Sequence, residues 1–348
     1  LNKDEYAKAK VVYTPLGLKS GETYLGTDGR PILHKNGCAG VTKAYDVRGN
    51  QIEEACLGID GYPAPHKDSG CARLTAMHDA RGNVLEATCL GTDGRPTQRK
   101  EGFAQAKMTY DARDNLIEVA SFGTDGEPIL PKGGLARAKM TYDARDNLIE
   151  QAFFGIDDKP ILNKEGFARR QLAYDARGNL IQETLFGTSI DGHLIAKGER
   201  YTMVSIAYTY DSRNNRIEEA YFGDGSPIVT ELGFHRMTTT YDARDNAIEN
   251  AFFGTDDRPI FNRRRGAAKV TMAYDARDNV IEEAYLGPDG RLVQLEDGVA
   301  RITMAYDARG NVIKEAYFGP NRQVILNRRG FAEMTMAYDT RNNKIEEA

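Results

Sequence analysis

Tyr306-Asp307-Ala308-Arg309-Gly310-Asn311 is one copy of a hexapeptide that recurs ten times along the chain, with Tyr at 45, 110, 142, 174, 210, 241, 274, 306 and 338 and His78 in the second copy. The steps between copies are 33, 32, 32, 32, 36, 31, 33, 32 and 32 residues. A near-constant period of this length is the mark of a repeat architecture, in which each unit leans on its neighbours. The fourth residue after the Tyr, which is also the fourth of the turn that Asp opens, is Gly49, Gly82, Asp114, Asp146, Gly178, Asn214, Asp245, Asp278, Gly310 and Asn342. Only Gly, Asp and Asn occur there, the residues that tolerate positive φ. A type I turn followed by a left-handed residue closes a three-residue hairpin with a bulge. The Asp that opens the turn accepts a hydrogen bond from the backbone two residues on.

The flanking segments read as strands. Before the turn, Ala300, Ile302, Met304 and Tyr306 alternate with Arg301 and Thr303, a period of two. After it, Val312 to Phe318 forms a second strand ending at Gly319. A second turn, Gly91-Thr92-Asp93-Gly94-Arg95-Pro96 in its clearest copy, carries the Asp-Gly signal. The fold expected is therefore all-β, a tandem β-hairpin repeat array of about ten to eleven units, as a solenoid or spiralling sheet. The position two after the turn Asn is always Ile or Leu, from Ile52 to Ile345, and is expected to anchor each unit's core. Ile281, Ala284 and Leu286 do not share one strict alternation, so a bulge is expected inside the second strand.

Residues 1–348 read as a single array with a degenerate first unit at 1–44, where Thr14, Leu16 and Leu18 replace the usual Asp, Arg and Asn. An irregular joint is expected near 188–207, where the long step falls. The array is expected to be truncated at both ends and to continue beyond them. Leu1 to Ala7 matches Leu162 to Ala168, the tail of a repeat, and Ala348 stops in mid-repeat.

Composition excludes some classes. The chain is 41% apolar and 28% charged, with a net charge of −5. That balance gives no electrostatic basis for nucleic-acid binding, and no apolar run of about 18 residues exists to span a membrane. No catalytic, cofactor-binding or metal-ligating constellation is expected, and no cofactor. The Asp-x-Arg-Asp-Asn turns resemble a calcium loop in outline, but calcium needs six to eight oxygens. Four copies place Gly at the fourth position, so turn geometry explains the variation and metal does not. Arg recurs in all ten turns, from Arg48 to Arg341, and Glu follows the recurrent Ile or Leu in eight copies, with Gln182 and Lys314 as exceptions. Two such ladders suit a charged ligand or, by preference, cross-strand ion pairing. Cys38 and Cys71 share one repeat position and Cys56 and Cys89 another, where other units carry Phe or Tyr. Free core thiols are the favoured reading, with a disulfide the alternative. His34, His66, His78, His193 and His235 have no partner at motif spacing. The Tyr ladder suits core packing better than stacking of bases or sugars.

The pattern Gly166 through Tyr174-Asp175-Ala176-Arg177-Gly178-Asn179-Leu180-Ile181 resembles the YD (RHS-type) repeat family over essentially the whole chain. The resemblance implies hairpins joined edge to edge into a spiralling sheet, which in that family forms hollow shells in bacterial toxin complexes and in some animal cell-surface proteins. The longer period and the added Gly-Thr-Asp-Gly-x-Pro turn depart from the family. The function expected is a non-enzymatic structural or interaction scaffold, bacterial and exported or on the cell surface. The alternatives are a shell fragment of a bacterial polymorphic toxin, and a carbohydrate- or peptide-binding repeat module. A protein or glycan partner fits either binding reading.

Overall fold

The computed structural model describes residues 6–187 and 203–348. The joint expected near 188–207 lies mostly outside those residues; its last five form the start of the strand Met203–Tyr210. The fold is all-β. Among the described residues twenty-three strands run from Lys8–Tyr13 to Lys344–Glu347, and all but Ser226–Pro227 fall into eleven sequential hairpins. No helix of the described residues is long and apolar enough to cross a membrane.

Two compact units are present, Leu1–Arg170 and Gln171–Ala348. In the first, the strands from Lys8–Tyr13 to Leu148–Phe154 pair in chain order, each antiparallel to the next. In the second, the strands from Leu180–Phe186 to Lys344–Glu347 do the same, with Ser226–Pro227 paired onto Arg216–Gly223. Pairing within a hairpin covers six or so residues, except for three in the last, whereas pairing to the next hairpin covers three, as in Glu282↔Thr303 to Ala284↔Arg301, except for five between Leu180–Phe186 and Met203–Tyr210.

The turns fold as their residues dictate. All ten fourth positions have positive φ, from 61° at Asp146 to 95° at Gly82. The degenerate first hairpin keeps the geometry with Gly17 at φ 78°, and Thr14 Oγ1 takes the acceptor role of the missing Asp, receiving the Leu18 amide. A bulge follows at once. In the Lys269–Tyr274/Val280–Leu286 hairpin, Tyr274 pairs with Val280 and Ala273 with Glu282, so Ile281 has no cross-strand partner. The same skip leaves out Ile52, Leu85, Ile117, Ile149, Ile217, Ile248, Ile313 and Ile345.

That register overturns the expectation that these residues anchor the core. Ile52, Leu85, Ile181, Ile281 and Ile313 are each 37% exposed and Ile345 66%. An extra residue in one strand leaves the ladder and re-aims its side chain, so recurrence here marks the bulge. The core is elsewhere, in a column made from two positions 18 residues apart in each unit. Phe234 and Phe252, Ala267 and Tyr285, Val299 and Tyr317, and the two cysteine pairs all lie in it, buried. Phe252 stands 5.1 Å from Phe234, which stands 6.0 Å from Tyr221 of the preceding hairpin. Phe153 meets Phe167 of the following unit at 5.8 Å. The column therefore runs through successive hairpins, and a row of small buried residues, Ala39, Ala72, Ala104, Ala136, Ala268 and Ala300, runs beside it. Ala39 accepts from the Tyr24 amide and donates to Leu57 O, tying one hairpin to the next.

Candidate functional site

The recurrent polar residues are gathered into three ladders. The first is built from the hairpin turns. In each, the opening Asp receives two amides and the Asn side chain: Asp307 Oδ1 accepts from Arg309 N at 2.8 Å and Asn311 N at 2.9 Å, while Asn311 Nδ2 donates to Oδ2 at 2.9 Å. These bonds favour the carboxylate. The Asn311 side chain first, then its amide and that of Arg309, hold Asp307 down at about 2. The other nine turn Asp carboxyls are lowered as well.

Most turns then grip the next. Arg244 Nη1 donates to Asp275 O at 2.8 Å and pairs with Asp278 at 2.9 Å, and Asn246 Nδ2 donates to Asp278 Oδ1 at 2.7 Å. Arg113 and Asn115 hold the turn of Asp143 and Asp146 in the same way, and Arg213 and Asn215 hold that of Asp242 and Asp245. The fourth turn residue thus has a second task where it is Asp or Asn: it receives the Asn of the preceding turn. Positive φ alone explains the Gly copies.

The second ladder joins strands. The Glu after the bulge reaches the basic residue at the start of the next hairpin: Glu118 to Arg137, Glu218 to Arg236 at 3.0 Å, Glu249 to Lys269 at 3.1 Å and Glu282 to Arg301 at 3.3 Å. The exception at Lys314 is a reversed pair, with Glu333 at 2.8 Å. The same basic residues cover the aromatic residue that closes their own hairpin, Arg236 over Phe253 at 4.3 Å and Arg301 over Phe318 at 4.4 Å. Ion pairing between units, the preferred reading of the Arg and Glu ladders, is what the structure contains.

The third ladder is the motif Tyr. Its hydroxyl donates to the backbone of the preceding hairpin, Tyr45 to Lys19 O at 2.7 Å, Tyr274 to Ala247 O at 2.9 Å and Tyr306 to Val280 O at 2.8 Å. The rings are half-buried between hairpins and not offered as stacking platforms.

The cysteines correct the free-thiol reading. Cys38 is bonded to Cys56 and Cys71 to Cys89, each pair with Cα atoms 5.3 Å apart, and no cysteine is free. The reason is the column: its two positions, 18 residues apart, meet within a hairpin, as Phe234 and Phe252 do at 5.1 Å, and where both are Cys they are within bonding reach. The signal present in the sequence was that both positions change to Cys together, in the same two units.

The histidines do not converge. His34 stacks on Tyr24 at 4.6 Å and its Nδ1 receives the Asn36 amide, His66 Nδ1 receives the Asp68 amide, and buried His235 Nδ1 lies 2.7 Å from Tyr221 O. His78 is buried at Nδ1 without a hydrogen-bond partner, and His193 lies outside the described residues. Among the described residues no group of three or more His, Cys, Asp or Glu is placed to hold a metal ion. Cavities of about 300 and 240 Å³ adjoin the first hairpins, and one of about 290 Å³ is lined by Arg263, Arg264, Arg265, Glu296, Asp297 and Arg328.

No protein-family model matches the chain, and no curated protein matches it. Solved structures do. TcdB2-TccC3-Cdc42 is similar over 97% of this chain at 11% identity and a TM-score of 0.33, and TcdB2-TccC3 over 97% at 12% and 0.33. A Photorhabdus luminescens Tc holotoxin pore is similar over 97% at 11% and 0.33. This chain spans 18%, 17% and 17% of those chains.

Proposed function

We propose that this chain is a non-enzymatic structural segment, a stretch of wall in a larger YD-type β-hairpin assembly of the shell-building kind. One observation carries the reading: the recurrent Asp, Arg, Asn, Glu and Tyr side chains bond to their own turn or to the adjacent hairpin. Arg244, for example, is engaged by Asp275 O and Asp278, and Tyr274 by Ala247 O. Residues used this way make each hairpin a template for the next. Strand-by-strand pairing in chain order supports the same reading. The proposed setting is exported or cell-surface, supported by two disulfides, which persist in oxidising compartments.

The test is deletion of one whole unit, residues 105–136, which joins Ala104 to Arg137 and replaces Gln105 by its repeat equivalent. A wall segment tolerates this, keeping cooperative melting and both disulfides. Loss of folding on the deletion refutes the modular reading. Turnover by the intact chain in a hydrolase and transferase substrate panel refutes the non-enzymatic one.

A further inference from the structure

The cavity of about 300 Å³ in Leu1–Arg170 is lined by Cys56 and Cys71 together with Asn36, His66, Ser69 and Arg99. Neither Cys38 nor Cys89 lines it, and both are 0% exposed, against 5% for Cys56 and Cys71. The two disulfides stand in consecutive hairpins of the buried column, in the order Cys38, Cys56, Cys71, Cys89. Cys56 and Cys71 occupy the positions that Phe153 and Phe167 fill at 5.8 Å elsewhere, and Cys56 N donates to Ala72 O at 3.0 Å. The cavity therefore lies at the junction of the two pairs, against Cys56 and Cys71 and not against Cys38 or Cys89. The loop at its rim is one residue longer than its neighbours: Gly70 N bonds His66 O four residues back, where Gly37 N and Gly102 N bond His34 O and Arg99 O three back.

Thiol–disulfide exchange proceeds by thiolate attack in line with the S–S bond, so the sulfur that can be approached from behind is the one attacked. We propose that this cavity is a thiol-exchange site for a low-molecular-weight thiol, with Cys56 and Cys71 as the attacked residues. The incoming thiolate bonds to Cys56 Sγ, the Cys38–Cys56 bond breaks, and Cys38 leaves as a thiolate that takes a proton from water. A second thiol attacks the mixed disulfide, releasing the oxidised thiol dimer and the Cys56 thiol. Two electrons and two protons have then passed from two thiols to the protein. Cys71 and Cys89 react by the same steps. A cavity of this size admits a peptide thiol and excludes a folded protein.

The experiment uses the folded, oxidised chain with reduced glutathione as probe, acid quenching, alkylation in urea and peptide mass spectrometry, with reduced thioredoxin in parallel. Glutathione adducts are expected on Cys56 or Cys71, with the alkyl label on Cys38 or Cys89, while far-UV circular dichroism is unchanged. Thioredoxin is expected to react at least about tenfold more slowly, because access limits exchange. Adducts on Cys38 or Cys89, reaction only after unfolding, or equal rates for the two reductants overturn the proposal.

Discussion

Phe252→Ala and Ile281→Ala form a pair of substitutions that separates column from bulge. Phe252 is 4% exposed and packs at 5.1 Å on Phe234, which in turn meets Tyr221. Removing a buried Phe ring costs about 3–5 kcal/mol, from lost transfer energy and the cavity left behind. Ile281 is 37% exposed and has no cross-strand partner. A fully buried Ile→Ala change costs about 2–5 kcal/mol, and scaling by the roughly two-thirds that is buried gives about 1–3. The expected gap is therefore about 2 kcal/mol, near a thirtyfold difference in the folding constant. Urea titration of both variants, followed by far-UV circular dichroism, reads it as the difference in midpoint at constant slope. If Ile281→Ala costs as much as Phe252→Ala, the column is not the core and the invariant aliphatic position is.

Three further outcomes follow from the ladders. Gly178→Val, at φ +88°, places a β-branched residue in the left-handed region and is expected to cost at least about 1–2 kcal/mol, read as a fall in melting temperature by calorimetry. Every turn Asp has a folded pKa below its unfolded value, Asp79 and Asp307 at about 2, so their contribution is complete above about pH 4 and is lost as pH falls from there toward 2; a urea midpoint identical at pH 5 and pH 2.5 would contradict this. Lys314→Glu, which sets two acids together at the 2.8 Å pair with Glu333, is expected to destabilise by less than about 1 kcal/mol because both side chains are half exposed, and Glu333→Lys in the same chain should restore the loss in a double-mutant cycle.

The hairpins were legible because their turn chemistry is explicit. Gly, Asp and Asn at one position mean positive φ, and all ten positions have it. The opening Asp was read correctly as a backbone acceptor. The bulge was foreseen from the broken alternation of Ile281, Ala284 and Leu286, but not its consequence, that the invariant Ile or Leu is the residue the bulge expels from the ladder. The core was hard to see because its identity varies while its spacing does not. Cys38 and Cys56, Phe234 and Phe252, and Val299 and Tyr317 share only a separation of 18 residues and burial. A column that accepts sulfur, aromatic or aliphatic groups leaves no consensus, and for the same reason the disulfides were misread as free thiols. The grip of one turn on the next depends on register between hairpins, and local patterns do not carry it.

The central claim is that each hairpin draws its stability from itself and its immediate neighbours. Hydrogen exchange by mass spectrometry on Phe252→Ala tests it directly. The account predicts faster exchange in the Arg236–Tyr241/Ala247–Phe253 hairpin and in the adjoining strands Arg216–Gly223 and Lys269–Tyr274, with the Gly40–Tyr45/Gln51–Leu57 hairpin unchanged. Equal acceleration in all hairpins, the distant one included, would show a single cooperative globule and contradict it.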